Sequence, residues 1–367
     1  MSSLSDLIYH FDFKGILVNS EPFGCGHIND TLKLTFKNED GKTVRYILQT
    51  LNTSVFRDPD GLMNNILYLT EHIRSKVVKA GRDPERATLK IIPTIDGELY
   101  YKAPNGYCYR VYEFIENTIS LESIENAEQF ENLARIFGDF QNKLSDFDAS
   151  KLVETIPDFH NTKKRFEALE AAICEDKAGR ASSVADEIAF ARARKADASL
   201  LVDMLKHGEL PLRVTHNDTK LNNVLFDATS GEAVCVIDLD TVMPGLIHYD
   251  FGDSIRFGAS TAAEDEKDLS KVEMNISLFE AYSRGFISSF GDKLTANEIK
   301  YLPFSAKLLT YECGIRFLTD YLNGDTYFKI HYPEQNLDRC RTQFKLVYDM
   351  EQKMGEMERI ISSLINN

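Results

Sequence analysis

Residues 214–226 carry the side chains that phosphoryl transfer to a hydroxyl group would require. The segment reads Val-Thr-His-Asn-Asp-Thr-Lys-Leu-Asn-Asn-Val-Leu-Phe and holds His216, Asp218 and Asn223 in the pattern H-x-D-x-x-x-x-N. The reaction needs a carboxylate that orients the hydroxyl group and accepts its proton, and an oxygen ligand for Mg²⁺ close by. Asp218 is therefore the predicted catalytic carboxylate and Asn223 a predicted metal ligand. His216 is expected to support the loop by hydrogen bonding rather than to titrate.

A second metal ligand is predicted where the next apolar run ends. Residues 233–240 are mostly apolar and finish with Asp238 and Asp240. An acidic side chain at the end of a buried strand is costly unless it is paired or binds a metal. We therefore predict that Asp238 binds Mg²⁺. Residues 250–252 spell the D-F-G of protein kinases, but no hydrophobic strand precedes them, so Asp250 is expected to be structural and to bond the catalytic loop.

The residues before this segment predict the elements of a small antiparallel sheet with one helix, over residues 1–116. Strands separated by short polar turns indicate hairpins, and apolar residues at helical spacing indicate a helix. The predicted strands cover residues 15–21, 31–36, 44–51, 89–92, 99–101 and 107–115, and the predicted helix covers residues 62–78.

This N-terminal part is predicted to bind ATP. Two glycines between the first two strands let backbone N–H groups approach phosphates, and the last strand ends where its backbone could bond adenine. An ordinary hairpin loop and an ordinary edge strand are the alternatives. The predicted nucleotide-binding residues are Gly24, Gly26, Asn29, Asp30, Thr31, Gln49, Glu113, Phe114 and Ile115.

The third strand has no lysine at the position that kinases use to hold the α- and β-phosphates. Gln49 stands near that position and adds no charge. Lys220 and Arg45 are the candidate cations, although both could equally be surface charges.

Residues 117–367 predict a larger, mainly helical domain, so the fold class is α+β. Apolar residues at helical spacing over residues 130–147 predict one helix. Residues 158–206 suggest two further helices, and residues 344–364 predict a terminal amphipathic helix. The catalytic segment lies within this second domain. We expect the N-terminal domain to hold the nucleotide and the C-terminal domain to hold the acceptor.

The composition of the chain argues against nucleic acid and membranes as binding partners. The formal net charge of −15 would repel a nucleic-acid backbone, and 43% hydrophobic residues suffice for a sizeable core. The six scattered cysteines indicate reduced thiols. Residues 1–10 lack a signal-peptide pattern, and no apolar run approaches the ~18 residues of a membrane helix. We therefore expect a cytoplasmic monomer that acts on a small molecule, without nucleic-acid or membrane partners.

Several segments together resemble the aminoglycoside phosphotransferase superfamily, which has the bilobal protein-kinase-like fold, and within it the bacterial N-acetylhexosamine 1-kinases. The segments that carry this resemblance are residues 26–29, 46–49, 137–141, 214–223, 237–240, 250–260 and 312–317. The resemblance implies that ATP and N-acetylglucosamine or N-acetylgalactosamine give the sugar 1-phosphate and ADP. It also implies a set of sugar-binding residues, namely His27, Asp218, Asp238, Arg316 and Tyr327.

The residues alone leave other interpretations open. Without the resemblance, Arg316 would be taken as a surface or ion-pair arginine and Tyr327 as a core aromatic residue. Another kinase of the superfamily, acting on choline, homoserine or an aminoglycoside, is the alternative enzyme, and a nucleotide-binding pseudokinase is the alternative class. The sequence does not distinguish the gluco from the galacto epimer.

Overall fold

The computed structural model describes residues 4–24, 29–121 and 124–365. The strands are β1 (Ile16–Pro22), β2 (Asp30–Lys37), β3 (Thr43–Leu51), β4 (Ile91–Ile92), β5 (Tyr101–Lys102), β6 (Cys108–Glu113), β7 (Thr118–Ser120), β8 (Arg213–Thr215), β9 (Val224–Asp227), β10 (Ala233–Val236) and β11 (Met243–Gly245). The helices are α1 (Leu4–Leu7), α2 (Pro59–Lys79), α3 (Ala127–Lys143), α4 (Thr162–Glu175), α5 (Ala185–Ala193), α6 (Lys195–Lys206), α7 (Ile247–Gly258), α8 (Ile276–Phe290), α9 (Ala296–Lys300), α10 (Leu302–Leu322) and α11 (Gln335–Ile365).

The chain forms two compact units. The first contains Met1–Ser120, Asp146–Pro157 and Val224–Met243. The second contains Leu121–Ser145, Asp158–Asn223 and Pro244–Asn367. The chain therefore leaves the first unit after Ser120 and returns to it twice, at Asp146–Pro157 and Val224–Met243.

The first unit is built on an antiparallel sheet in the order β1-β2-β3-β6-β4, with β5 pairing β6. In the β2–β3 pair, Leu34 lies opposite Tyr46, and both are buried. Alternate residues of a strand point to one face, so one side of this sheet forms a core. The predicted hairpins are confirmed, although the strands predicted at residues 89–92 and 99–101 are shorter, at 91–92 and 101–102.

Helix α2 confirms the one predicted helix of this unit. The side chain of Asp58 caps it by accepting a hydrogen bond from the Gly61 backbone N–H (2.9 Å), and Pro59 occupies its first turn. Its buried face includes Leu62, Ile66 and Leu69, at the spacing that the sequence predicted. A smaller sheet in the order β10-β9-β7 completes the first unit.

The second unit is mainly helical, which confirms the predicted α+β class. Two helix predictions need correction. Helix α3 ends at Lys143 rather than continuing to Phe147, because Phe147 belongs to the first unit, where its ring contacts His72 at 5.3 Å. Residues 158–206 form α4, α5 and α6 rather than two helices. Asp176 takes a left-handed conformation (φ 39°) that ends α4, and Arg194, which leaves helical geometry, separates α5 from α6.

Helix α10 is the central helix of the second unit. It packs against α4, α7 and α11, and nearly every residue along it is buried. A helix that is apolar on most sides is stable only inside a core. Its buried acids, Glu312 and Asp320, therefore need specific partners. None of the described helices combines the length and apolar character that crossing a membrane requires.

Candidate active site

The carboxylate of Asp218 is held from two sides within the second unit. Strand β8 ends directly before His216, and residues 216–223, here called the 216–223 loop, follow. The Asn223 side-chain N–H group donates to the Asp218 carbonyl (2.9 Å) and to its Oδ2 (3.1 Å). Lys220 Nζ lies 2.8 Å from Oδ1. These contacts fix the orientation of a half-buried carboxylate, which a proton acceptor requires.

Lys220 remains charged beside this carboxylate. Burial alone would lower the pKa of Lys220, but the Asp218 carboxylate raises that pKa above its ordinary value. The other candidate cation, Arg45, forms a half-exposed ion pair with Glu116 on the first unit (2.6 Å). Lys220 is therefore the candidate cation that lies next to the predicted catalytic residue.

Asp250 holds the 216–223 loop in place through hydrogen bonds to the loop backbone. Its Oδ2 accepts a hydrogen bond from the His216 backbone N–H (2.8 Å), and its Oδ1 accepts one from the Asn217 N–H (2.7 Å). The Gln141 side chain also donates to it. Burial raises the pKa of Asp250, although His216 opposes that shift. These bonds confirm the predicted structural contact and hold Asn217 in a left-handed conformation (φ 66°).

His216 also supports the loop, as predicted. Its ring is fully buried and packs edge-on against Phe137 (5.4 Å) and Phe140 (6.0 Å). The Asp218 backbone N–H points at its Nδ1 at 3.4 Å. The histidine therefore lies between the core of the unit and the predicted catalytic residue.

Arg316 lies on α10 with its guanidinium between two aromatic rings. It sits 5.6 Å from the Phe159 ring centroid and 5.5 Å from that of Phe328. Across the ranges that the structure describes, no hydrogen bond or ion pair occupies this guanidinium. Arg165 lies nearby, and its pKa is lowered first by burial and then by the charge of Arg316. Arg316 is thus a stacked, half-buried donor rather than an ion-pair arginine.

Tyr327 is presented to solvent by a loop that Asp320 organises. Its side chain is 68% exposed, so the alternative of a core aromatic residue is wrong. The Asp320 carboxylate accepts hydrogen bonds from the backbone N–H groups of Thr326 (2.9 Å), Tyr327 (2.8 Å) and Phe328 (2.9 Å). Asn336 adds a fourth donor at 2.9 Å. Asp320 was not identified from the sequence. An acidic residue one turn after Arg316 in an apolar helix could have indicated a buried carboxylate with hydrogen-bond partners.

Asp238 and Asp240, in the first unit, have different environments. Strand β10 ends at Val236, two residues earlier than the predicted Asp238. Asp238 is exposed and adopts a left-handed conformation (φ 56°) at the start of a 3₁₀ turn. Asp240 is buried and forms an ion pair with Arg110. Asp238 is therefore the exposed acid of this turn, and Asp240 is the buried acid that ties the turn to Arg110.

Arg110 links this turn to the strands of the first unit. Its Nη2 donates to Asp240 Oδ2 at 2.8 Å, and its Nε and Nη2 donate to Gln49 Oε1 at 3.0 and 2.8 Å. Asn29 donates to Asp240 at 2.7 Å. Burial would lower the pKa of Arg110, but Asp240 raises it above the ordinary value. Arg110 was not identified from the sequence. An arginine in an otherwise apolar strand could have indicated a buried ion pair.

The predicted nucleotide-binding residues that the structure describes are all in the first unit. Gly24 has the left-handed φ of 77° that favours glycine, whereas Gly26 and His27 lie outside the described residues. Asp30 begins β2, and Thr31 Oγ1 accepts a hydrogen bond from the Gln49 amide (3.1 Å). Gln49 therefore has both ends of its amide engaged, which the sequence did not predict.

The segment predicted to bond adenine uses two of its donors within the sheet. The Glu113 N–H donates to the Lys90 carbonyl at 2.9 Å, and the Phe114 N–H donates to the Arg45 carbonyl at 3.0 Å. The Ile115 carbonyl accepts from Thr118 Oγ1 at 2.7 Å. Of the three backbone N–H groups in this segment, the one left to donate to an adenine ring nitrogen is that of Ile115.

The two predicted metal ligands fit Mg²⁺ in their chemistry. The Asn223 amide uses its nitrogen on Asp218, which directs its oxygen away from that carboxylate. Asp238 offers an exposed carboxylate. Mg²⁺ prefers such oxygen ligands and usually takes only one or two carboxylates from the protein. Within the described ranges, no group of three or more His, Cys, Asp or Glu side chains is arranged to hold a metal.

Comparison with known sequences gives one family. The profile of the family described as "Phosphotransferase enzyme family" matches residues 26–278. This range includes the 216–223 loop, Asp238 and Asp250, so the match covers the residues discussed above.

Comparison with solved structures gives chains of similar fold. A microcompartment-associated aminopropanol kinase matches with a TM-score of 0.61 at 15% identity, covering 96% of this chain and 97% of that one. A spectinomycin phosphotransferase, solved with ADP and spectinomycin, has a TM-score of 0.58 at 12% identity, covering 95% and 97%. A Plasmodium vivax ethanolamine kinase has a TM-score of 0.51 at 15% identity, covering 89% and 82%. These likenesses confirm the predicted kinase-like fold.

Proposed function

Since the chain belongs to the phosphotransferase enzyme family, we propose that it phosphorylates N-acetylglucosamine or N-acetylgalactosamine at the anomeric hydroxyl group. ATP is the donor, and the products are the sugar 1-phosphate and ADP. The bond from the sugar O1 to the γ-phosphorus forms, and the bond from that phosphorus to the β–γ bridging oxygen breaks. The proton of O1 passes to Asp218.

The contacts of Asp218 support its role as the proton acceptor. The anomeric hydroxyl group is more acidic than the other ring hydroxyl groups, so a weak base is sufficient at that position. Lys220, held 2.8 Å from Asp218 Oδ1, puts a positive charge beside the proposed base, where it would stabilise negative charge on the transferring phosphoryl group. Mg²⁺, held by Asn223 and Asp238, would neutralise charge on the β- and γ-phosphate oxygens.

The observation that carries the acceptor class is the Arg316 guanidinium of the second unit. It is stacked between two phenylalanine rings, and no described residue accepts a hydrogen bond from it. Its planar fork of N–H groups suits a carbonyl or other electron-rich oxygen, and its positive charge disfavours a cationic acceptor. The N-acetyl carbonyl fits this site, with the exposed Tyr327 ring available to cover the sugar.

A panel of acceptors with ATP and Mg²⁺, read out as ADP release, tests the proposal. N-acetylglucosamine and glucosamine form the decisive pair, because they differ only by the acetyl group and the positive charge that its absence leaves. A hydrogen bond to a charged group contributes about 1.5–3 kcal/mol, so we expect kcat/KM to favour the acetylated sugar by about 10- to 100-fold. Choline, ethanolamine, aminopropanol and homoserine complete the panel and should score weakly.

Arg316→Ala should reduce this preference for the acetylated sugar, whereas Arg45→Ala, which removes a half-exposed arginine of the first unit, should leave it unchanged. A higher kcat/KM for glucosamine or an amino alcohol than for N-acetylglucosamine would overturn the acceptor assignment. It would leave the phosphotransferase chemistry intact and would put an amino-alcohol or aminoglycoside kinase in its place.

A further inference from the structure

His160 lies directly behind the 216–223 loop, although no sequence pattern marks it. It stands two residues before α4 and is 7% exposed. Its ring packs against the rings of Phe159 (4.6 Å between centroids) and Tyr249 (5.2 Å). A histidine so deeply buried needs hydrogen-bond partners for its ring nitrogens.

Both ring nitrogens of His160 face oxygen acceptors. Nδ1 lies 2.8 Å from Glu312 Oε1, and Nε2 lies 3.2 Å from the carbonyl oxygen of Asn217. A neutral imidazole carries one N–H group, so one of these contacts would set a lone pair against an oxygen. Only the doubly protonated ring donates to both partners.

Glu312 is the counter-ion that this protonated ring requires. Its other oxygen, Oε2, accepts a hydrogen bond from Thr162 Oγ1 at 2.7 Å, and its side chain is 1% exposed. Burial would raise the pKa of Glu312, but the charge of His160 holds that pKa below its ordinary value. Glu312 Oε1 is thus the acceptor for one ring N–H group of His160, and the Asn217 carbonyl is the acceptor for the other.

We propose that His160, protonated and paired with Glu312, is a positioning residue that fixes the Asn217 carbonyl and thereby aims Asp218. Asn217 precedes Asp218 directly and holds a left-handed conformation (φ 66°), which asparagine tolerates better than most residues. Asp250 holds the N–H side of the Asn217 residue, and His160 holds its carbonyl. Asn217, the residue before Asp218, is then held both at its N–H group and at its carbonyl.

The position of Glu312 gives this pair a further consequence. Glu312 and Arg316 are four residues apart on α10 and share one face of that helix. The helix that carries the proposed acceptor-binding arginine therefore also sets the direction of Asp218. This consequence rests on the proposed function. One helix, α10, would then position both the acceptor, through Arg316, and the base Asp218, through Glu312.

Two variants of His160 separate positioning from simple stability. His160→Gln keeps an N–H group that can reach the Asn217 carbonyl, whereas His160→Leu has similar volume and no donor. Both leave Glu312 without its counter-ion, so both should lose thermal stability to a similar extent. We expect His160→Leu to lower kcat by about 10- to 100-fold, with the KM values for acceptor and ATP within about threefold of wild type. His160→Gln should keep most of the wild-type kcat.

Tyr311→Phe is the matched control, since it removes a buried hydrogen bond to the Ala191 carbonyl (2.8 Å) from the same helix. It should lower stability without changing kcat. Equal kcat values for His160→Leu and wild type, after correction for the folded fraction, would overturn the proposal. The kinetics use whichever acceptor scores in the panel, so a different substrate does not affect this test.

A second measurement uses the wild-type protein and requires neither turnover nor a variant. A ¹H–¹⁵N spectrum of the histidine rings in the full-length protein reports the protonation of each ring nitrogen. Near neutral pH, we expect one ring with protons on both nitrogens, in slow exchange with solvent. If every buried ring is in a neutral tautomer, the proposal is wrong, whatever the outcome of the acceptor panel.

Discussion

Asp218→Asn is expected to lower kcat by about 10²–10⁴, the range typical of a positioned general base. The amide has nearly the shape of the carboxylate, but it cannot accept the hydroxyl proton. It also removes the negative charge that faces Lys220 at 2.8 Å. The loss should appear in kcat far more than in the dissociation constant of the sugar, because the hydroxyl group can still bond to the amide oxygen.

The measurement is single-turnover kinetics beside calorimetric binding of sugar and nucleotide. Lys220→Ala is the companion variant, since it removes the cation and leaves the carboxylate. It should reduce kcat less than Asp218→Asn does. A variant with Asn at position 218 and the wild-type kcat would remove Asp218 from the mechanism, whereas an equal loss of binding and turnover would assign it to acceptor binding alone.

Asp238→Ala is expected to abolish Mg²⁺-dependent turnover at ordinary magnesium concentrations. Mg²⁺ relies on few protein carboxylates, so the loss of one should shift the magnesium requirement beyond the usual range. EDTA should abolish wild-type activity, and Mg²⁺ or Mn²⁺ should restore it. A magnesium titration of kcat for the wild type and the variant measures both effects.

Asp250→Ala is the matched control. Asp250 is the aspartate of the D-F-G sequence, which would suggest a metal ligand, but its carboxylate accepts hydrogen bonds from the backbone of the 216–223 loop. Its loss leaves two buried N–H groups without partners, at a cost of about 1–3 kcal/mol for each. Thermal unfolding should therefore reveal a larger loss of stability for Asp250→Ala, which orphans buried N–H groups, than for the exposed Asp238→Ala. If Asp250→Ala loses its magnesium response while Asp238→Ala keeps it, the metal is assigned to the wrong aspartate.

The 216–223 loop could be predicted from the sequence because its residues lie within one short segment. Asp218, Asn223 and their spacing are local, and Asn223 indeed bonds Asp218. The role of Asp250 could also be predicted, because no apolar strand precedes it. The hairpins of the first unit followed from alternating residues and polar turns in the same way.

Interactions between distant parts of the sequence could not be predicted. Arg110 and Asp240 are 130 positions apart, and His160 and Glu312 are 152 positions apart. Each of these residues alone resembles an ordinary charged residue, and only the fold identifies its partner. The end of α3 was misjudged for a similar reason, since Phe147 continues the helical spacing but packs within the first unit.

The position of the new phosphate on the sugar tests the central claim most directly. Phosphorus NMR of the product from ATP and N-acetylglucosamine should show a phosphate coupled to the anomeric proton, as in a 1-phosphate. The methyl glycoside, which is blocked at that oxygen, should be inert, and the 6-deoxy sugar should still react. A 6-phosphate product, or turnover of the methyl glycoside, would contradict the account.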